Sequence, residues 1–485
     1  MTEVLDNIEN AGQQRQQSPI RFGTDGIRAI ANTELSPELA FCLGEAAVAC
    51  FGKRIILGRD TRLSGVMLES MMVAGILSAG GDALCCGVIP TPALACLCRK
   101  HQADAAVVIS ASHNPPEYNG IKFFNHKGTK LSDTEQAALE DFINARPQDH
   151  ELRRQKERKE GDKIGHLVKL SSAKEDYIEA SISAVQKTLK ALIDSGHNKA
   201  QHKIDLSKPF AGLKIALDCG HGASHYCSPE AFKRLGADLV CINTDYSGLD
   251  INVNCGSTNL AQLKELLLSQ KADLGIAHDG DADRMLALDH KGNEIDGDQI
   301  LNICAGFLSE EQKKSCPVIV ATLMSNMGLE KALQKQGLKL ERTQVGDRYV
   351  LERMIELGAV LGGEQSGHLI FLEHNSTGDG LLSALQLTAA VVLSGKSLHE
   401  LGQEMEKYPQ VLINVEVENK ELLSSSVELK AALKDHEERL GDKGRILLRA
   451  SGTESLVRVM VEAQTEELAQ EHAQALAKAV KNYLA

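Results

Sequence analysis

Short apolar runs alternate with longer amphipathic segments along most of the chain. Three such pairs are Arg54–Leu57 with Met67–Leu77, Leu213–Leu217 with Pro229–Leu235, and Val318–Ala321 with Leu329–Gln336. Continuous apolar runs of this length are typical of strands buried in a sheet, and the amphipathic segments have the length of helices. The alternation predicts an α/β fold.

The pattern changes from Gln410 onward. A strand over Val411–Val415, a helix near Ser424–Asp435, and strands through Ile446–Leu448 and Val457–Val461 precede a final helix. This order predicts a separate α+β domain. The chain has 485 residues, and at roughly 100 to 200 residues per domain this length corresponds to about two to four domains.

Two polar stretches interrupt the apolar pattern. Asp149–Gly165 is dense in charges of both signs, and Ser195–Lys208 is polar throughout most of its length. We expect the first to be a solvated linker or helix face and the second a surface loop or insertion. The most apolar long stretch, Leu381–Leu393, is broken by Gln386 and falls short of the roughly 18 apolar residues of a membrane span, so we expect a buried helix and no membrane association.

The composition narrows the classes of function. Acidic residues outnumber basic ones by 66 to 53, the formal net charge is −13, and aromatic residues make up 4% with no Trp. This balance argues against a nucleic-acid-binding protein. The polar start Met1–Ile20 lacks the pattern of a secretion signal, and the 12 Cys show no paired zinc spacing. We therefore expect reduced thiols and a cytoplasmic location.

Four polar loops follow predicted strands, which is where open α/β sheets bind ligands. The first follows Ala105–Ile109 and reads SASHNPPEYNGIK over Ser110–Lys122. A hydroxyl beside an imidazole is a candidate nucleophile, whereas the Pro and Gly residues are equally typical of an ordinary polar turn. The spacing does not match a G-x-S-x-G nucleophile elbow.

The second loop carries three alternating carboxylates. It follows Leu274–Ala277 and contains Asp279, Asp281 and Asp283. Carboxylates this close repel one another unless a cation lies among them, and their hard oxygens suit Mg²⁺ or Ca²⁺. A calcium-binding EF-hand is excluded, because Arg284 stands at the sixth position of the loop, where Gly is required.

The third and fourth loops offer carboxylate, amide, hydroxyl and guanidinium groups. The third follows Ala359–Leu361 and reads GGEQSGH over Gly362–His368; its groups suit sugar hydroxyls or an amine, and a tight turn between two strands is the alternative. The fourth follows Ile446–Leu448 and reads RASGTES over Arg449–Ser455, with Arg458 on the strand beyond. Guanidinium groups with hydroxyls and Gly-exposed amides make a receptor for a phosphate dianion.

These loops, together with RFGTDGIR over Arg21–Arg28, resemble the motifs of the α-D-phosphohexomutase superfamily, most closely those of the bacterial phosphoglucosamine mutases. The five motifs stand in the family's order. The resemblance implies three similar mixed-sheet α/β domains and a smaller C-terminal α+β domain around a central cleft, with boundaries that we place at residues 1–165, 166–295, 296–406 and 407–485. Gln365 resembles the amino-sugar branch, since glucose and mannose mutases commonly carry Met there.

The resemblance also implies a reaction, the interconversion of glucosamine 6-phosphate and glucosamine 1-phosphate that supplies UDP-N-acetylglucosamine for cell-wall synthesis. Ser112 would be a phosphoserine that gives its phosphoryl group to the substrate and recovers the other one from a hexosamine 1,6-bisphosphate intermediate. One Mg²⁺, held by Ser112, Asp279, Asp281 and Asp283, would neutralise charge on the transferring group. A hexose 1,6-bisphosphate would be the activator, a small phosphosugar the partner, and the chain a monomer or a homodimer.

Individual side chains receive roles from the same resemblance. Arg28 and Lys122 match positions near the transferring phosphoryl group, where a fixed cation and a proton-transfer group are useful. His113 either orients Ser112 or only satisfies its loop. The residues expected at the sugar are Glu364, Gln365 and Ser366, and those expected at the non-reacting phosphate are Arg449, Ser451, Gly452, Thr453 and Arg458.

Two other functions are compatible with parts of this pattern. A phosphomannomutase or phosphoglucomutase of the same superfamily is the closer alternative, and Gln365 is the feature against it. A catalytically idle phosphosugar-binding protein is expected to lack Ser112 or one of the three Asp residues, yet all four are present. Ala450 and Ser455 depart from the Pro that family members often carry, but the fourth loop retains the anchoring groups.

Overall fold

The computed structural model describes residues 21–23, 25–145, 159–196, 203–450 and 455–484. Within them the chain forms four sheets and divides into two compact units. The described parts of residues 1–188, 204–287 and 370–385 form unit 1, and those of residues 189–203, 288–369 and 386–485 form unit 2. The charge-dense stretch predicted from Asp149 lies outside the described residues up to Arg158.

The first sheet has six strands in the order β1-β5-β4-β2-β3-β6. Its strands are β1 (Ile27–Ile30), β2 (Arg54–Arg59), β3 (Asp82–Val88), β4 (Ala105–Ile109), β5 (Tyr118–Asn125) and β6 (Leu167–Lys169). The helices between them are α1 (Pro37–Phe51), α2 (Gly65–Ser78), α3 (Thr91–Lys100) and α4 (Asp133–Asn144). Five strands run in the same direction, and β5 runs antiparallel between β4 and β1. All of β4 is buried, so the loop that follows it starts at the edge of a fixed sheet.

The second sheet has the order β11-β10-β9-β7-β8. Its strands are β7 (Lys214–Asp218), β8 (Asp238–Ile242), β9 (Leu274–His278), β10 (Met285–Asp289) and β11 (Glu294–Ile295), with helices α5 (Ala173–Asp194), α6 (Cys227–Arg234) and α7 (Ala261–Gln270). β7 runs parallel to both β8 and β9. Every residue of β9 is buried, which fixes the start of the acidic loop.

The third sheet has the order β13-β12-β14-β15. Its strands are β12 (Val318–Thr322), β13 (Lys339–Thr343), β14 (Leu361–Gly363) and β15 (Leu369–Phe371). The helices in this part of the chain are α8 (Gly297–Gly306), α9 (Glu310–Ser315), α10 (Met327–Lys335), α11 (Asp347–Leu357), α12 (Gly380–Ser394) and α13 (Leu398–Gly402). Asp296 caps α8 with a capping box that includes Gln299, so the N-terminus of α8 is well defined.

The fourth sheet has the antiparallel order β16-β18-β17. Its elements are β16 (Gln410–Glu416), α14 (Val427–Leu440), β17 (Gly444–Ala450), β18 (Leu456–Ala463) and α15 (Glu466–Leu484). Both helices pack through Leu429, Leu476 and Val480 against one face of the sheet, where Val459 and Val461 are fully buried. The opposite face carries polar residues. β17 is half-buried from Arg445 to Ala450, because Ile446 and Leu448 pack toward the helices whereas Leu447 alternates with Arg445 and Arg449 on the other face.

The predicted alternation of strands and helices is confirmed, as is the α+β arrangement after Gln410. The apolar stretch Leu381–Leu393 forms the buried part of α12. No helix among the described residues combines the length and the apolar character that a bilayer crossing needs. None of the twelve cysteines, each of which lies within the described part, forms a disulfide.

Candidate active site

The first loop places Ser112 beyond the end of β4, fully buried. Its Oγ donates a hydrogen bond to Oδ2 of Asp279 at 2.7 Å and lies 3.3 Å from Nδ1 of His113. The backbone of Ser112 has a φ of +51°, a left-handed conformation that costs a residue with a side chain roughly 1–2 kcal/mol. Strain of this kind persists only where the surroundings fix the backbone, and such residues cluster at functional sites.

The second loop presents its three carboxylates as one cluster. Asp279, Asp281 and Asp283 are buried, and one oxygen of each lies within 4.8 Å of the others. Between them, Gly280 approaches the first loop so closely that a Cβ there would lie 2.8 Å from the carbonyl oxygen of Ser112. The nucleophile predicted from the first loop and the metal ligands predicted from the second therefore meet in unit 1.

The charges of this cluster fit a divalent cation. Burial, followed by the charges of Asp283 and Asp281, raises the pKa of Asp279 well above its usual range. Burial and Asp283 also act to raise the pKa of Asp281, but Lys122 and a hydrogen bond from Thr91 outweigh them and the net shift is downward. Oδ1 of Asp281 is buried and accepts no hydrogen bond from the described residues. Mg²⁺ prefers hard oxygen ligands, and a buried carboxylate oxygen that accepts no hydrogen bond is available to bind it.

Two predicted cations lie beside the carboxylates. Lys122 is 3% exposed, and its Nζ lies 2.9 Å from Oδ2 of Asp281 and 3.8 Å from Oδ2 of Asp283. The same Nζ lies 3.6 Å from Oδ2 of Asp25, and Arg28 forms an ion pair with that carboxylate. Lys122 and Arg28 thus share one network of charges with the acidic loop.

His113 is a neutral side chain at physiological pH. Burial, with smaller contributions from the charges of Arg284 and Arg28, lowers its pKa to about 4. A neutral imidazole either accepts or donates a hydrogen bond, according to its tautomer. Of the two roles that the sequence left open, the distance to the Ser112 hydroxyl supports the orienting one.

The third loop is a tight turn between β14 and β15, in unit 2. The Glu364 amide donates to the carbonyl of His368 at 2.9 Å, and the Gly367 amide to the carbonyl of Glu364 at 3.0 Å. The amide of Gly297, at the start of α8, donates to the carbonyl of Gln365 at 2.9 Å. A Cβ on Gly297 would lie 2.1 Å from the carbonyl oxygen of Glu364, so the loop rests directly on the helix terminus.

The side chains of this turn differ in exposure. Ser366 is exposed, and Glu364 and Gln365 are half-buried. Gln365 Nε2 lies 3.4 Å from Oδ2 of Asp296, and Glu364 Oε1 accepts the amide of Gly346 at 3.2 Å. The turn therefore presents a carboxylate, an amide and a hydroxyl side by side, which matches the set predicted for a sugar. His368 is buried and supports the turn from within.

The fourth loop is described only at its two ends. Ser451, Gly452 and Thr453, predicted to bind phosphate, lie outside the described residues. Arg449 on β17 and Arg458 on β18 stand directly opposite each other, on the face that α14 and α15 do not cover. Like charges opposite each other destabilise a sheet, and the same pair of guanidinium groups suits a phosphate dianion.

Sequence reasoning overlooked polar residues that support the first two loops. Arg62 is fully buried, and its Nε donates to Oδ2 of Asp60 at 2.9 Å. Thr91 donates through Oγ1 to Oδ2 of Asp281 at 2.6 Å. A signal was available for the first pair, because the polar run Asp60–Arg62 directly follows the strand β2 in the same way as the four loops follow theirs.

Comparison with known proteins gives matches along most of the chain. The descriptions that match are phosphoglucomutase/phosphomannomutase alpha/beta/alpha domain I over residues 19–150, domain II over residues 191–292, domain III over residues 296–408 and the C-terminal domain over residues 412–479. The phosphoglucosamine mutase of Clostridium novyi is 47% identical and that of Clostridium acetobutylicum 46% identical, each over 95% of this chain and 98% of the relative.

Solved structures show the same fold at lower identity. A phosphoglucomutase/phosphomannomutase family protein from Burkholderia thailandensis has a TM-score of 0.74 at 22% identity, covering 95% of this chain and 97% of that one. N-acetylphosphoglucosamine mutase from Aspergillus fumigatus, solved in complex with GlcNAc-6P and magnesium, has a TM-score of 0.66 at 18% identity, covering 99% of each chain. The fold is therefore that of the phosphohexomutases.

Proposed function

The chain belongs to the phosphoglucosamine mutase family of the phosphoglucomutase/phosphomannomutase group, and from that premise we propose that it interconverts glucosamine 6-phosphate and glucosamine 1-phosphate. It is an isomerase that moves a phosphoryl group between two positions of one sugar, and its product feeds UDP-N-acetylglucosamine synthesis. The observation that carries the proposal is the hydrogen bond from the Ser112 hydroxyl to Asp279 within a cluster of buried carboxylates.

Ser112 is the proposed carrier of the phosphoryl group. A sugar hydroxyl attacks the phosphorus of phosphoserine, a new O–P bond forms as that hydroxyl loses its proton, and the bond from phosphorus to Ser112 Oγ breaks. The resulting bisphosphate turns around and returns its other phosphoryl group to Ser112 by the reverse step. The number of phosphoryl groups on enzyme and substrate is unchanged after one cycle. Lys122 lies close enough to the cluster to take part in the proton transfers, and His113, 3.3 Å from the Ser112 hydroxyl, orients that hydroxyl.

Charge neutralisation comes from the same site. Asp279, Asp281 and Asp283, with an oxygen on Ser112, would hold one Mg²⁺, which when bound supplies positive charge for phosphoryl transfer. Lys122 adds a fixed cation from the first sheet, and Arg28 forms an ion pair with Asp25, whose carboxylate also lies 3.6 Å from Lys122. Phosphoryl transfer depends mostly on positioning and electrostatic stabilisation, and buried, mutually fixed charges serve both.

Binding of the sugar is assigned to unit 2. Glu364, Gln365 and Ser366 contact the sugar, and Arg449 and Arg458, with Ser451, Gly452 and Thr453, hold the phosphate that does not react. One phosphate anchor serves both orientations of the bisphosphate, because each orientation presents one phosphate to Ser112 and the other to the anchor. The four domains that supply these groups span residues 1–165, 166–295, 296–406 and 407–485 in this proposal, and a hexose 1,6-bisphosphate restores enzyme that has lost its phosphoryl group.

The test is turnover of glucosamine 6-phosphate by Ser112→Ala, compared with wild-type enzyme and with Ser70→Ala, a control on the surface of α2. Each preparation receives Mg²⁺ and a catalytic amount of glucosamine 1,6-bisphosphate, and glucosamine 1-phosphate is measured. We expect wild-type turnover in Ser70→Ala and none in Ser112→Ala, with both variants folded by circular dichroism. Full activity of Ser112→Ala would contradict the phosphoserine mechanism.

A further inference from the structure

Two nitrogen atoms from different sheets of unit 1 donate to the same two carbonyl oxygens of the Ser112 loop. Nη2 of Arg62 lies 2.9 Å from the carbonyl oxygen of Ser112 and 2.7 Å from that of Asn114. Nδ2 of Asn252 lies 2.9 Å and 3.3 Å from the same two oxygens. Arg62 follows β2 of the first sheet, and Asn252 lies between β8 and α7 of the second. The loop is therefore held from both sheets at once.

Arg62 binds the loop with its whole guanidinium group. Nη1 donates to the carbonyl of Tyr118 at 2.9 Å and to that of Pro115, and Nε donates to Asp60. The side chain is fully buried. The planar fork of Arg matches several fixed acceptors at once, which the single ammonium of Lys does not. Such a contact therefore sets the shape of the loop as well as its position.

The amide side of Ser112 is fixed as well. Its N–H donates to Oγ of Ser110 at 2.9 Å, and that hydroxyl donates to Oδ2 of Asp60 at 2.7 Å. Asp60 in turn accepts from Arg62, so one buried carboxylate joins both sides. Because the N–H and the carbonyl of Ser112 are both hydrogen-bonded, the residue is held in its left-handed backbone conformation. In this conformation the hydroxyl donates its hydrogen bond to Asp279.

Gly280 supplies the space in which Asn252 reaches the loop. A Cβ on Gly280 would lie 2.8 Å from Nδ2 of Asn252 and 2.8 Å from the carbonyl oxygen of Ser112. The acidic loop and the Ser112 loop thus approach at the point where Asn252 joins them. A shift of the Ser112 loop would therefore change the distance between the reacting oxygen and the carboxylates.

We propose that Arg62 and Asn252 are positioning residues for phosphoryl transfer, which together clamp the carbonyls of Ser112 and Asn114 and thereby fix the Ser112 hydroxyl relative to Asp279. The inference rests on the proposed function for the identity of the reaction. Both side chains act through the peptide groups that flank the reacting residue. A misplacement of about 1 Å is enough to slow a reaction by about 100-fold. We therefore expect the loss of either side chain to lower kcat.

The variant that tests the clamp is Asn252→Gly, which removes both hydrogen bonds and still permits the left-handed backbone at this position, where φ is +60°. Asn254→Gly is the matched control, because Asn254 has a φ of +54°, is exposed, and lies two residues away. We expect Asn252→Gly to lower kcat about tenfold, the effect of two lost hydrogen bonds, with KM for glucosamine 6-phosphate within about twofold of wild type. Asn254→Gly keeps wild-type values.

A second variant, Arg62→Lys, keeps the buried charge and removes the fork. We expect a larger loss of kcat than in Asn252→Gly, again with little change in KM, in samples whose folded fraction is checked by circular dichroism at the assay temperature. If Asn252→Gly does not fold, the isosteric Asn252→Asp carries the same expectation. Equal kcat in wild type and the folded Asn252 variant, or a rise in KM with kcat unchanged, overturns the inference. Failure of the proposed function is distinguishable, since the wild-type enzyme itself would then show no turnover.

Discussion

The substitution Lys122→Met tests whether the buried carboxylates are organised around positive charge. Lys122 is 3% exposed and lies 2.9 Å from Asp281 and 3.8 Å from Asp283. Met fills a similar space without a charge, so the carboxylates lose their closest cation. Removing one partner of a buried ion pair costs about 3–5 kcal/mol. At about 2–4 °C per kcal/mol for a domain of 150–250 residues, the melting temperature in EDTA falls by about 10 °C.

Magnesium changes the size of this loss. At about 100 times its Kd, a ligand that binds only the folded state adds about 2.7 kcal/mol of stability. The variant lacks the cation that competes for Asp281, so Mg²⁺ stabilises it more than it stabilises the wild type. The gap in melting temperature between the two proteins therefore narrows when EDTA is replaced by Mg²⁺.

The assay is thermal unfolding followed by circular dichroism, in EDTA and in Mg²⁺, for the wild type, Lys122→Met and Lys127→Met. Lys127 is exposed on the turn after β5 and serves as the control for loss of a lysine. The control is expected to melt like the wild type in both buffers. An equal loss of melting temperature for Lys122→Met in EDTA and in Mg²⁺ would refute the idea that a metal and Lys122 neutralise the same carboxylates.

Two further substitutions probe unit 2. Arg449→Ala removes one of two opposed guanidinium groups. Loss of a hydrogen bond to a charged phosphate is expected to raise KM roughly tenfold to hundredfold, with a smaller change in kcat. An unchanged KM in steady-state kinetics would contradict the role of Arg449 in binding the non-reacting phosphate. Burial, followed by the charge of Asp296, raises the pKa of Asp298 to about 7 in the folded protein. The folded state therefore keeps a proton that the unfolded state releases above about pH 4. The stability that this proton contributes is complete below about pH 4 and is lost as the pH rises through about 7. The Asp298→Asn variant is expected to lose this decrease in stability between pH 4 and pH 8. If its melting temperature depends on pH over this range as that of the wild type does, the prediction is contradicted.

The order of strands and helices was predictable because buried strands of this fold are short continuous apolar runs. Ala105–Ile109 and Leu274–His278 are buried throughout, and a short apolar run bounded by polar segments is typical of such a strand. The loops after these two strands were singled out for their chemistry, and the structure places Ser112 and Asp279 in contact. The apolar run of β17 is only half-buried, because Ile446 and Leu448 pack on helices while Leu447 and Arg449 alternate on the other face.

The contacts of the supporting side chains were not predictable from local pattern, although the position of Arg62 directly after β2 marked it as a candidate. Arg62 and Asn252 read as ordinary loop residues, since a lone Arg or Asn in a polar segment is usually solvated. Their role depends on carbonyl groups that lie far away in the sequence and that become neighbours only when the sheets have formed. The left-handed backbone of Ser112 is likewise set by such contacts, because nothing in the residue type itself favours it.

The central claim is tested most directly by kcat/KM for glucosamine 6-phosphate, glucose 6-phosphate and mannose 6-phosphate on a single enzyme preparation with Mg²⁺ and the matching catalytic bisphosphate. Relative values decide specificity, because they compare transition states on one enzyme. The account predicts that the amino sugar is preferred by at least about tenfold, the discrimination that a polar group of the site supplies when it is satisfied by one substrate only. An equal or higher value for glucose or mannose 6-phosphate would contradict the assignment to glucosamine.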